Sequence, residues 1–220
     1  MSYRNSKSNL LRKTGSLGVA GMVLAGVAIV AFMISSPQLA HAGPIAPPPL
    51  PAGLAPVPPG QKLFLAGHAV GTQNYVCRPS GAGVAYILFT PEATLFDQNG
   101  GQIITHYFSP NPSDPNTDPK VVADGAIRAT WQHRDTSSVW AKVHQPDGAV
   151  TVDPTAIAWL LLDGVGSQKG PTGGDKLFGT TFVQRLNTTG GLPPSTGCSS
   201  LSDVGNTAFV PYTADYFFYK

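Results

Sequence analysis

The sequence predicts an all-β domain, an antiparallel β-sandwich or barrel with long loops and at most one short helix. Three observations predict it. Charged residues are 12% of the chain, about half of the ~25% usual in soluble domains. Glycine (25) and proline (21) are abundant, which suits strands joined by tight turns and not a helical bundle. Finally, short apolar segments follow one another with Gly, Pro, Asn and Asp between them.

The first 42 residues predict a secretory leader. A basic stretch ends at Lys13, an uncharged apolar run extends from Leu17 to Ile34, and Ala40-His41-Ala42 is a small-x-small cleavage pattern. Cleavage is expected after Ala42, giving a secreted or periplasmic protein. The alternative is an uncleaved anchor, since the apolar run approaches the length of a membrane span. The formal charge of +2 belongs to this segment: without it, ten Lys and Arg face twelve Asp and Glu, or −2. A chain so nearly neutral has no basic stripe with which to neutralise phosphates, so no nucleic-acid partner is expected.

Residues 43–60 are proline-rich and predict a polyproline-type tether, either a spacer or a strap laid on the domain. From residue 61 to 220 a single β domain is expected. Its strands are placed at Lys62–Leu65, Gln73–Cys77, Val84–Phe89, Ala93–Phe96, Ile103–Phe108, Ala129–Gln132, Val139–His144, Ile157–Leu162, Leu177–Leu186 and Phe209–Tyr219. Asn99-Gly100-Gly101 and Asp147-Gly148 read as hairpin turns, because these residues tolerate positive φ. The stretch Thr155–Leu162 is the single candidate helix, and its Ile157–Leu162 run could equally be a strand buried on both faces. Asn111–Lys120, with three prolines, reads as a long polar loop. In the last strand, Tyr212, Tyr216 and Phe218 share one face, and Phe217 and Tyr219 share the other.

Cys77 and Cys198 are the two cysteines of the chain. In an oxidising compartment they are expected to form one disulfide. Two cysteines cannot build a closed Cys-rich zinc site.

The motifs with chemical content are sparse. Asp163-Gly-Val-Gly166-Ser-Gln-Lys-Gly170 approximates a dinucleotide fingerprint, but its third glycine is one place late and Pro171-Thr-Gly-Gly174 cannot open a helix. It is read as a flexible loop, and neither NAD nor any other cofactor is expected. Asp114, Asn116 and Asp118 alternate as calcium ligands do, yet Pro119 replaces the turn glycine and Gly125 the terminal glutamate. His133-Arg134-Asp135 could pair an imidazole with a carboxylate. His106 ends a strand that faces Asp97 across a hairpin. These four, His106, His133, Asp97 and Asp135, are the candidates for acid–base catalysis. Glu92 is the one glutamate, so a glycosidase pair would need aspartates. Exposed aromatics could stack on a glycan.

Several segments together resemble the DUF3455 family, secreted bacterial and fungal proteins of unknown function. They are Gln73-Asn-Tyr-Val-Cys77, Pro91–Gly100, His106-Tyr107, Trp131, Ala158–Leu161, Gln184–Gly191 and Val210–Tyr216, spanning about residues 57–219. The block Arg185-x-x-Thr188-x-Gly190-Gly191 is the most specific part. The family pattern places Gly-Pro before the tryptophan and Asp-Gly-Ser after it. Here those positions read Ala129-Thr130 and Asp135-Thr136-Ser137. The resemblance implies no catalytic residues. The leading expectation is therefore a binding or structural module of the envelope or extracellular space, with a glycan or envelope component as possible ligand. The alternative is a secreted hydrolase with a His/Asp site.

Overall fold

The computed structural model describes residues 46–111 and 127–220. The leader, and the candidate calcium positions Asp114, Asn116 and Asp118, lie outside the described residues. The elements are β1 (Leu63–Ser80), β2 (Gly83–Phe96), β3 (Gln102–Pro110), β4 (Ile127–His133), β5 (Ser138–Val143), β6 (Ala149–Val150), β7 (Trp159–Gln168), β8 (Phe182–Gly190) and β9 (Thr207–Tyr219), with one 3₁₀ turn at Leu201–Asp203.

Every pairing is antiparallel, in the order β5-β4-β3-β2-β1-β9-β8-β7. β5 then pairs with β7, with Val143 opposite Leu162 and Ser138 opposite Gln168. That last ladder closes the sheet into an eight-stranded barrel, the barrel alternative of the expected fold class, with β6 a short addition against β7. The ring is continuous, but among the described residues the stretch 83–92 of β2 pairs with β1 alone and keeps a free edge.

Three details differ from the expectation. Lys62–Leu65 and Gln73–Cys77 are parts of one strand, β1, and Val84–Phe89 and Ala93–Phe96 are both in β2. The residues between them, such as Gly71 and Pro91, interrupt an apolar pattern without interrupting a ladder. Asp147-Gly148 makes a turn but no β5–β6 hairpin, because both of those strands pair with β7. The stretch Asp163–Gln168 is strand and not flexible loop. Gly164 is there because the chain passes too close: a Cβ would lie 2.6 Å from the Thr180 carbonyl oxygen. Asp97–Gly101 is a hairpin turn as expected, with Gly100 at φ +78° and the Asp97 carboxylate accepting from the backbone N–H groups of Asn99 and Gly101.

The two faces of β9 organise the core. Tyr212, Tyr216 and Phe218 point into the barrel, where they meet Leu95, Ile104, Trp131, Val139, Leu162 and Val183. Phe217 and Tyr219 point outward and pack with Leu161, Leu186 and Leu54. Leu54 belongs to the proline-rich segment, which is a strap on the outer wall. Leu50, Ala55 and Val57 join the same cluster, and the Ala55 N–H donates to the Asp147 carbonyl. A strand aromatic on both faces is thus covered on both. The apolar interior is the reverse of the polar lumen of membrane-spanning barrels.

Cys77 in β1 is joined to Cys198 in the loop before β9, with their Cα atoms 5.5 Å apart and 121 residues between them in sequence.

Candidate functional site

One end of the barrel is plugged and the other is hollow. At the plugged end, Leu177 and Ile103 are buried beneath the turns that hold Asp97 and Asp135. Toward the other end the ladder between β2 and β3 stops at Ala93 opposite His106. Beyond that point β3 pairs with β4 alone, from Tyr107–Thr130 to Pro110–Ile127. Pro91 has no N–H for a ladder, and Thr90 Oγ1 accepts the Phe108 N–H at 3.0 Å. The seam opens, and a cavity of about 310 Å³ lies inside it.

All eight barrel strands line this cup. Its walls are mainly apolar: Leu88, Phe108, Ile127, Ala141, Val143, Leu160 and Leu162. Its polar residues are Gln73, His106, Trp131, Arg185 and Tyr216; Arg128 and Lys142 also border it, with their side chains on the outward faces of β4 and β5. The volume is at the small end of the range for small-molecule sites, roughly 300–1,000 Å³.

His106 and Trp131 form the floor. The imidazole is stacked on the indole, and Tyr216 meets both rings edge-on. His106 Nδ1 is 2.8 Å from the Thr130 carbonyl oxygen, which can only accept, so Nδ1 carries the proton and Nε2 is the free acceptor. Burial drives the imidazole pKa down to about 3. The Thr130 hydrogen bond opposes this, and the nearby Arg185 charge adds to it. His106 is therefore a neutral group.

Arg185 enters from β8. Alternation puts it on the inward face with Val183, while Leu186 faces the strap. Its Nε and Nη2 donate to the Ala158 carbonyl at 3.2 and 2.9 Å. Thr188 Oγ1 donates to the neighbouring Ile157 carbonyl. The Gly191 N–H donates to Pro211, and the Gly191 carbonyl accepts from Tyr75. Gly191 has φ +80°, and a Cβ there would come within 2.9 Å of Tyr212 and 3.1 Å of Gln73. The Arg-x-x-Thr-x-Gly-Gly block is thus a local frame that fixes Arg185 and makes room for Gln73. The hydroxyls of Tyr212 and Tyr216, 3.4 Å apart, sit in the same cluster. Burial raises both phenols, and the Arg185 charge partly offsets it.

Trp131 Nε1 is a buried donor with no acceptor among the described residues, and Gln73 Nε2 lies against the Tyr212 hydroxyl; both nitrogens are closed off from the cup. Trp131 is 1% exposed and Gln73 2%.

Of the catalytic candidates, His106 lines the cup and the other three do not. Asp97 is spent on its turn, several residues along β2 from Ala93, the partner of His106, so these two are not brought together. His133 and Asp135 do meet, Nδ1 to Oδ1 at 3.0 Å, in the β4–β5 turn at the plugged end. Burial would raise the Asp135 carboxyl. Hydrogen bonds from the Ser137 hydroxyl, the Lys176 and Ser137 N–H groups and His133 outweigh it, holding the group well below the usual carboxylate range. Such a carboxylate is a structural acceptor. His68–Asp215 and His144–Asp163 are further pairs, each 2.8 Å apart and partly exposed. Among the described residues, no group of three His, Cys, Asp or Glu could hold a metal ion. Sequence reasoning missed Arg185, Gln73 and Trp131 as site residues. The available signal was Arg185 itself, a charge two places from Val183 and hence on the inward face of a strand.

The fold and the cup define a class: a closed antiparallel barrel with a half-open, largely apolar internal cavity floored by a few fixed polar groups. The chain belongs to the DUF3455 family, described as a protein of unknown function, whose model matches residues 58–220. No curated protein and no solved structure matches it.

Proposed function

We propose that this protein is an exported binding module that holds a small organic molecule in its barrel cup. The observation that carries the proposal is the cavity of about 310 Å³, walled by hydrocarbon, lined by all eight strands of the barrel and reached by the Arg185 side chain. Eight-stranded barrels are wide enough inside for one small ligand. Export is supported by the leader pattern and by the Cys77–Cys198 pair. A hydrolase would need an imidazole, a carboxylate and a substrate-sized cavity in one place. The described His–carboxylate pairs are elsewhere, and the one histidine of the cup is bonded to a carbonyl. Binding without chemistry is therefore the favoured reading.

The test is NMR titration of the ¹⁵N-labelled protein with the uncharged probe N-phenyl-1-naphthylamine. The largest shifts should fall on the Trp131 indole N–H and the amides of His106, Ala141 and Arg185. Shifts confined to the outer wall, or none at millimolar probe, would overturn the proposal.

A further inference from the structure

Arg185 is the charged side chain that strand alternation turns into the cup. Arg128 and Lys142 border it from β4 and β5, but their neighbours Ala129 and Trp131, and Ala141 and Val143, are the inward residues there, so their side chains lie on the outward faces. Among the described residues, no Asp or Glu lines the cup.

The charge of Arg185 acts on His106, Tyr75, Tyr212 and Tyr216. A guanidinium has five N–H donors in a planar fork. Nε and Nη2 of Arg185 donate to the Ala158 carbonyl and the guanidinium also hydrogen-bonds Tyr216, while among the described residues it has no carboxylate partner. A partly buried cation without a counter-ion is costly, and an anion brought by a ligand removes that cost. The cup therefore presents one positive charge, while its walls present hydrocarbon.

We infer that the ligand of the cup is a small organic carboxylate, its head on Arg185 and its apolar or aromatic body against Phe108, Leu160 and Leu162. This rests on the binding reading given above. A carboxylate fits better than a phosphate, because mainly apolar walls replace little of the hydration of a dianion. It also matches the planar fork of arginine. The neutral Nε2 of His106 would accept a hydrogen bond from a hydroxyl or N–H next to the carboxylate.

The test is isothermal titration of the full protein with three molecules of one carbon skeleton: phenylacetate, 2-phenylethanol and phenethylamine. Phenylacetate should bind at least about tenfold tighter than the alcohol, corresponding to about 1.4 kcal/mol, and the amine weakest of the three. Arg185→Gln should abolish the preference for phenylacetate and leave the alcohol within about twofold. Arg185 also supports Ala158, so a further variant guards against misfolding: Arg185→Lys should keep native circular dichroism and part of the preference. If the alcohol binds as tightly as the acid, or if Arg185→Gln does not change acid binding, the carboxylate inference fails while the cup reading stands. If N-phenyl-1-naphthylamine binds but none of the three does, the carboxylate inference fails again. If all four fail to bind, both fail.

Discussion

The imidazole of His106 lies flat on the indole of Trp131, with ring centroids 4.4 Å apart and planes 4° from parallel. Stacking covers one imidazole face, and burial denies water to the ring. The neutral form follows from that, and a pH dependence follows from the neutral form. The folded pKa is about 3, whereas the unfolded chain should titrate near ~6.5. Between those values the unfolded state binds the extra proton, so stability is complete above ~6.5 and is lost as pH falls toward 3. Urea unfolding at pH 7 and pH 4.5 should show a lower midpoint at pH 4.5, and His106→Phe should shrink that difference. An NMR titration should show no His106 transition between pH 5 and 8.

Asp135 should prove structural. Its carboxylate accepts from the Ser137 N–H and hydroxyl and from the Lys176 N–H. Asp135→Ala should cost about 2–3 kcal/mol in urea unfolding and leave ligand binding in the cup unchanged. The folded pKa lies below the unfolded one, so this stabilisation is present above about pH 4 and is lost as pH falls further. The penalty of the substitution should therefore shrink in acid.

Thr136 occupies the left-handed region at φ +71°, at the position where the family pattern has glycine. A β-branched residue is strained there by about 1–2 kcal/mol. Its hydroxyl donates to the Asp135 carbonyl, an exposed bond of small value. Thr136→Gly should raise the melting temperature by a few degrees, read by circular dichroism.

The Cys77–Cys198 link closes a loop with a sequence separation of 121. The chain-entropy account gives such a loop about 4–5 kcal/mol, with measured values often smaller. The double variant Cys77→Ser, Cys198→Ser should lower the unfolding free energy by about 2–5 kcal/mol. Denatured, unreduced wild-type protein should contain no titratable thiol.

Local signals made most of the strands legible. The Asp97–Gly101 turn is encoded within five residues, and the alternation of Tyr212, Tyr216 and Phe218 against Phe217 and Tyr219 assigns both faces of β9. Barrel closure was not legible. It depends on Trp140 meeting Gly166 across the chain, and nothing near either residue announces its partner. The glycines of β7 were misread for a related reason: what excludes a side chain at Gly164 is the remote Thr180 carbonyl. At the site, His106 was visible as a histidine ending a strand, but its partner depended on register. The ladder sets it beside Trp131 and away from Asp97.

The most direct test of the central claim is an equilibrium titration of N-phenyl-1-naphthylamine fluorescence with the wild-type protein and with Ala141→Trp. Ala141 lines the cup and is 1% exposed, so a tryptophan there fills the space. Saturable one-to-one binding by the wild type, lost in an Ala141→Trp variant with native circular dichroism, is the expected result. A wild type that shows no saturable binding, or a folded Ala141→Trp protein that binds the probe equally well, would contradict it.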